Sequence, residues 1–228
     1  MTTKTKQFKH GEKDFDRKYY KRFFSNYNQK EFQKYVNWFE GWFRFISCQH
    51  NLRNGKGKKA LEIGCSLGYF AVILERQKYE VTATDISKFI IEKASKINPQ
   101  IDFQTLDIQK NTLKTKYNYI FAFEVFEHLE NPREAIMNCY KMLKKDGVLI
   151  FSTPFVTKQS LADPTHINVH APDWWKSVCK ESEFKKVEMV PATFVPFLYQ
   201  IHPILSQGFK LKFEFPLVNT TAFYICQK

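Results

Sequence analysis

The stretch FEVFEHLENP (residues 123–132) sets two carboxylates and an imidazole, Glu124, Glu127 and His128, within five positions of one another. A long apolar and aromatic run leads up to them, and Pro132 follows as if a helix were about to begin. Carboxylates and imidazoles are the side chains that move protons near neutral pH, which is what a poor nucleophile such as a hydroxyl needs. A second stretch, STPFVTKQSLADPTHINVHAPDWW, carries His166, 13 residues after Thr153, and then His170. Two carboxylates and two imidazoles also make a mixed oxygen and nitrogen set that suits Mg²⁺, Mn²⁺ or Zn²⁺. A purely structural use of the same groups stands beside these two.

The elements that must position these residues alternate regularly. KALEIG, EVTATD, IDFQTLD, YNYIFAFE and VLIFSTP are short apolar strands. GYFAVILERQ, SKFIIEKASKI (with Ser87 as its N-cap) and PREAIMNCYKMLKKDG (with Gly147 after its end) are the helices between them. Strands alternating with helices imply βαβ units and a parallel sheet. The tail changes pattern: a helix at APDWWKSVCKES, a strand at FKKVEMV and a last strand at TTAFYICQ. Before all this, from Phe15 to Cys48, aromatics such as Tyr19, Tyr20, Phe23, Phe24, Tyr35, Trp38, Phe39, Trp42 and Phe43 recur at helical spacing. NGKGKK (54–59) reads as a linker. The expected division is a basic, aromatic-rich helical extension over residues 1–55 and a main domain over residues 56–228.

ALEIGCSLGYF (60–70) reads as strand, glycine turn and helix, with the pattern Glu62-x-Gly64-x-x-x-Gly68. It is neither the GxGxxG of dinucleotide binders nor a phosphate loop. Gly64 lets the backbone turn tightly and a ligand come close. Glu62 at the strand end either holds a cationic amino group or orders the loop. Asp85 ends the second strand, where an acidic residue in nucleoside-binding α/β folds accepts the ribose hydroxyls; a helix cap is the other use of a lone Asp. Asp107, in LDI, ends the third strand and is placed to receive an exocyclic amino group. All these strand ends share the carboxyl edge of one sheet, where open α/β sheets bind ligands.

With those residues on the page, residues 58 to about 155 resemble the class I S-adenosylmethionine-dependent methyltransferases. The matching pieces are LEIGCSLGYF, VTATDIS, LDI, FAFEVFEHLENP and LKKDGVLIFSTP. The resemblance implies a Rossmann-like, mostly parallel sheet of seven strands, with helices on both faces and an antiparallel last strand. It implies that Glu62, Gly64 and Gly68 meet the methionine part of the cofactor. Asp85 would hold the ribose, Ile86, Asp107 and Ile108 would frame the adenine, and Phe123 would lie beside the cofactor. Cys65 departs from the family pattern and reads as a small residue beneath the loop.

The Glu-x-x-Glu-His spacing narrows the resemblance to ubiquinone-pathway O-methyltransferases and small-RNA 3′-terminal 2′-O-methyltransferases. There the three residues bind a divalent metal, and in the RNA enzymes a later His completes the set. Carried over, the metal ligands would be Glu124, Glu127, His128 and His166, with His128 and His166 as the catalytic histidines of a metal-free version. In other class I enzymes the Glu-His pair orders the loop and caps the next helix. His170 reads as a helix-entry or substrate-pocket residue.

The acceptor follows less directly. The expected reaction is O-methylation of a small-molecule hydroxyl, on a phenol, a quinol-like compound or a sugar. An RNA 2′-O-methyltransferase and a non-catalytic cofactor-binding protein are the alternatives. The net charge of +12 is uneven: residues 1–60 hold 15 Lys/Arg against 5 Asp/Glu, and the remainder 20 against 18. Such an arm suits a solvated face, a nucleic acid or an anionic membrane surface. The aromatic extension and the apolar insert FVPFLYQIHPIL (194–205) read as lids over the acceptor. No 18-residue apolar run and no apolar leader segment occur, and five scattered cysteines form no CxxC pair. A cytoplasmic setting is the expectation from these features.

Overall fold

Strands at the centre of this molecule carry apolar residues on both faces, because helices cover both. The computed structural model describes residues 15, 19–20, 29–195, 200, 202–212 and 219–228. Helix α1 spans Gln29–Ser47, β1 Lys59–Ile63, α2 Tyr69–Arg76, β2 Glu80–Asp85, α3 Lys88–Ile97, β3 Asp102–Thr105 and β4 Tyr117–Phe123. A 3₁₀ turn at Phe126–His128 leads into α4, Pro132–Met142. Strand β5 is Leu143–Pro154, α5 Lys158–Ala162, α6 Pro172–Glu181, β6 Lys186–Phe194, β7 Gly208–Phe209 and β8 Asn219–Gln227. Successive β4 residues point to opposite sides: Phe121 packs with Phe70 of α2 and Phe43 of α1, whereas Ile120 and Ala122 pack with Ile136 of α4 and Trp175 of α6.

The sheet order is β3-β2-β1-β4-β5-β8-β6-β7. From β1 the chain steps outward through β2 to β3, then returns to β4 on the other side of β1. That reversal opens a crevice at the carboxyl ends of β1 and β4, where this class of sheet binds ligands.

Several expectations change here. The described sheet has eight strands rather than seven, since the two-residue β7 adds to the edge of β6. The antiparallel last strand is present, but it lies between β5 and β6. Helix α4 stops at Met142 instead of running to Gly147. Leu143 is buried and pairs with Tyr117, and the bulge between Tyr117 and Tyr119 absorbs the lysines that follow. β3 ends at Thr105, so Asp107 lies in the loop beyond it. Ser87 stands at the N-cap of α3 without a side-chain capping bond; its amide donates to Asp85 instead.

α1 belongs to the core. Phe32, Val36, Phe39, Phe43 and Ile46 recur every three or four residues and pack on α2 and the sheet. Trp42, 2% exposed, stacks on Phe194 of β6 and meets Phe123 and Phe223 edge-on. The part of the extension over α1 therefore shares the main core, because its apolar stripe has no other surface to cover. Residues 1–14, 16–18 and 21–28, which hold 8 of the 15 Lys/Arg in residues 1–60 and include Phe23 and Phe24, lie outside the described residues, as do positions 196–199 and 201 of the insert. Among the described residues, no helix is long and apolar enough to cross a membrane.

Candidate functional site

The glycine turn after β1 requires glycine at two positions. Gly64 has φ 70°, and a Cβ there would meet Val125 Cγ2 at 2.4 Å. Gly68 has φ 85°, and a Cβ there would meet the ring of Phe103 at 2.7 Å. L-residues with side chains rarely adopt such φ values, so the loop is built for close backbone approach. Cys65 is buried beneath it, and burial pushes its thiol well above the usual range, so no reactive thiolate is set up.

Asp85 closes β2 as a carboxylate among several donors, the Ile86 amide one of them. The Ser66 amide reaches Oδ2 at 3.1 Å, the Ser87 amide reaches Oδ1 at 3.0 Å, and the Tyr20 hydroxyl lies 3.2 Å from each oxygen. Burial raises its pKa, and these donors pull against that rise. Glu62 is 5% exposed and its Oε2 has no hydrogen-bond partner; burial, offset by the Ala71 amide, pushes its carboxyl well above the usual range. A buried carboxylate oxygen left without a donor is costly unless a ligand supplies one.

A cleft of about 260 Å³ runs along these strand ends. Of the residues expected at the site, it is lined by Gly64, Asp85, Ile86, Asp107, Ile108, Glu124 and His128. Phe15, Tyr19 and Tyr20 of the aromatic extension and Ser66 of the glycine turn join them. Glu62 and Gly68 stand behind the loop. Phe123 is directed away from the cleft, into the rings of Phe70, Trp42 and Phe223, because neighbours along a strand face opposite sides. Asp107 is engaged locally: Oδ1 accepts the Gln109 amide at 3.1 Å and Oδ2 pairs with Lys110 at 2.8 Å.

At the end of β4 the backbone turns through Glu124 at φ 52°. Its Oε1 accepts the hydroxyls of Ser152 and Thr221, each at 2.7 Å. Glu127 follows in the 3₁₀ turn, wholly buried, with the Glu124 carboxyl and its own amide as its near hydrogen-bonding neighbours. Burial and then the neighbouring Glu124 charge push its carboxyl well above the usual range. The backbone carbonyl of Glu127 accepts the amides of both Ile167 and Asn168 at 2.9 Å. That clamp carries the loop before α6 back onto the turn and brings His166 beside His128, with ring centroids 4.7 Å apart.

Both imidazoles are oriented by backbone. His128 Nδ1 lies 2.9 Å from the Thr165 carbonyl, and His166 Nδ1 lies 3.0 Å from the Ser160 carbonyl. A carbonyl only accepts, so each Nδ1 carries the proton and each neutral ring keeps its lone pair on Nε2. His128 Nε2 is 3.9 Å from Glu127 Oε1. Glu127, His128 and His166 each offer a ligand atom within 4.8 Å of the others'. Three of the four expected ligands thus come together among the described residues, while Glu124 Oε1 accepts the hydroxyls of Ser152 and Thr221. His170 lies apart, stacked on Trp174 at 3.7 Å.

Comparison with known proteins bears on the family and the fold. Residues 34–189 match the family model described as "Methyltransferase domain". The ubiquinone biosynthesis O-methyltransferase, mitochondrial, of Schizosaccharomyces pombe is 32% identical over 104 residues, covering 42% of this chain and 38% of that protein. The ubiquinone biosynthesis O-methyltransferase of Coxiella burnetii is 33% identical over 103 residues, covering 43% and 44%. The chain thus spans less than half the length of these curated relatives. Among solved structures, a SAM dependent methyltransferase from Archaeoglobus fulgidus superposes with a TM-score of 0.63 at 17% identity, covering 92% of this chain and 98% of that one. Magnesium protoporphyrin IX methyltransferase from Synechocystis PCC 6803 with bound SAM gives 0.54 at 15% identity, covering 81% and 75%. These two likenesses show the fold.

Proposed function

Because the chain belongs to the methyltransferase-domain family, the class I S-adenosylmethionine-dependent methyltransferases, we propose that it transfers a methyl group from S-adenosylmethionine to the hydroxyl of a small molecule. The observation that carries the reading is the convergence, at one sheet edge, of a glycine turn, the Asp85 carboxylate and the Glu127–His128–His166 cluster. The residues present fit the cofactor. Gly64 lines the cleft with bare backbone, Glu62 Oε2 lacks a donor that an ammonium would supply, and Asp85 faces the cleft as an acceptor for ribose. Ile86 and Ile108 offer apolar walls for a base.

When bound, the cofactor supplies an electrophilic methyl on sulfur, so the protein's task is to align and deprotonate the acceptor. Phe15, Tyr19 and His128 would hold the acceptor hydroxyl on their side of the cleft, facing the methyl that the bound cofactor would supply. The hydroxyl proton would pass to the lone pair on His128 Nε2, which the Thr165 carbonyl keeps in the required tautomer. Phe15 and Tyr19 wall this side of the cleft, and Phe15 meets His128 edge-on at 6.0 Å. A cleft of this size with aromatic walls suits a small, flat acceptor. The relatives' printed names, ubiquinone biosynthesis O-methyltransferase, point the same way.

A divalent metal is the second reading, favoured by one observation: the wholly buried Glu127 carboxyl lies within ligand reach of both imidazoles. Glu127, His128 and His166 would hold the ion, and the carbonyls of Thr165 and Ser160 orient both rings as outer partners do in metal sites. The ion would make a bound hydroxyl easier to deprotonate. The lid role of the chain before Gln29 and a cytoplasmic setting belong to the same proposal; all five cysteines are free, as a reducing compartment would leave them, while the fission yeast relative's name places that protein in the mitochondrion.

Transfer from cofactor labelled in its methyl group to a panel of phenols, sugars and RNA tests the reading. Label in a phenol or sugar, lost in His128→Ala, is the expected result. Label in RNA alone would replace the acceptor assigned here, and no transfer to any acceptor would favour a protein that only binds the cofactor.

A further inference from the structure

The carboxylate read as the ribose site is already occupied by the chain itself. Tyr20 and Asp85 are 65 residues apart in sequence, yet the Tyr20 hydroxyl sits 3.2 Å from both Asp85 oxygens. A carboxylate offers about four lone-pair positions in its plane. The Ser87 amide uses one on Oδ1 and the Ser66 amide uses one on Oδ2. The Ile86 amide is a further donor, and the Tyr20 hydroxyl, equidistant from the two oxygens, spans both of them. A vicinal diol on this carboxylate would likewise span both oxygens. Asp85 is 5% exposed and Tyr20 7%, so the phenol closes this face of the carboxylate.

The contact is part of a row of rings. Tyr20 meets Tyr19 edge-on at 5.2 Å, Tyr19 meets Phe15 at 4.9 Å, and Phe15 meets His128 at 6.0 Å. The first three rings all line the cleft. The Tyr20 hydroxyl is thus placed where a nucleoside would go, and packing of its ring keeps it there.

We propose that Tyr20 is a built-in competitor for the ribose diol: the cofactor-free protein holds its own phenol on Asp85, and a nucleoside binds only by displacing it. The inference rests on the reading of Asp85 as the ribose-binding carboxylate. A hydrogen bond that must be broken before the ligand's own bonds form subtracts from the observed affinity, so removing the hydroxyl should tighten binding.

Calorimetric titration of S-adenosylhomocysteine into the full-length protein tests this. Tyr20→Phe keeps the ring and its packing but removes the hydroxyl, and Kd should fall by about threefold to tenfold. Tyr20→Leu, which removes the ring as well, should shift Kd in the same direction, so the result does not hang on one variant. Asp85→Ala should raise Kd at least about tenfold, which tests the underlying reading by itself. In the double variant the gain from Tyr20→Phe should vanish, because the phenol then has no carboxylate to occupy. An unchanged or higher Kd in Tyr20→Phe, with Asp85→Ala still impaired, overturns the competitor while leaving the ribose site standing. An unchanged Kd in Asp85→Ala removes the ribose reading and the competitor with it.

Discussion

The hydroxyl of Thr221, on the last strand, donates to Glu124 Oε1 at 2.7 Å across 97 positions of sequence. The same hydroxyl lies 2.9 Å from the Thr153 carbonyl, so β8 ties the carboxylate at the end of β4 to the middle of the sheet. Thr221→Val keeps the shape and removes the donor. It should destabilise the protein by about 1–3 kcal/mol, the cost of leaving a buried acceptor short of a partner. The measurement is the denaturant midpoint at unchanged slope, with Thr221→Ser restoring most of the loss. A shift within experimental error would mean that the bond contributes nothing net.

Chelation separates the two versions of the reaction centre. If Glu127, His128 and His166 hold a metal, EDTA should abolish methyl transfer while cofactor binding by calorimetry stays nearly intact, and added Mg²⁺ or Mn²⁺ should restore turnover. Full turnover in protein shown metal-free by elemental analysis leaves the histidine-base version in place.

The buried acids make a signed prediction about pH. Glu62 and Glu127 are pushed well above the ordinary carboxyl value of 4.5, mainly by burial. Each binds its proton more tightly folded than unfolded. Below the ordinary value both states are protonated and the full stability is present. As pH rises from there through the raised folded values, the unfolded chain has already released the proton and stability is lost. His50 and His170, kept neutral by burial, act in the opposite sense as pH rises. The readout is therefore the difference between the cofactor-free wild type and Glu127→Gln, by denaturation at several pH values. The wild type should lose ground to the variant as pH rises; parallel curves would contradict the burial argument.

Trp42 tests whether α1 is core or appendage. Its ring is 2% exposed between Phe123, Phe194 and Phe223, from three strands. Trp42→Ala should cost about 3–5 kcal/mol, as large-to-small changes in a packed core do. Thermal melting would show it as a large fall in midpoint. A loss of activity without a loss of stability would instead mark α1 as a lid.

The alternation of strands and helices, the sheet edge that collects Asp85 and Glu124, and the turn at Gly64 were legible in the sequence. Each rests on local physics: periods of two and 3.6, a backbone that only glycine tolerates, and parallel strands that all end on one side. The three-member cluster was half legible. Glu127 and His128 are neighbours in the chain, but His166 reaches them only because the Glu127 carbonyl holds the amides of Ile167 and Asn168. The setting of Glu124 was not legible, because a left-handed backbone and two hydroxyls from β5 and β8 fix its side chain. Phe123 looked like a cofactor neighbour until strand β4 turned it into the aromatic core. The place of β8 between β5 and β6, and the phenol of Tyr20 on Asp85, leave no mark on any local pattern. They join segments far apart in sequence, and which surfaces meet is decided by packing of the whole chain.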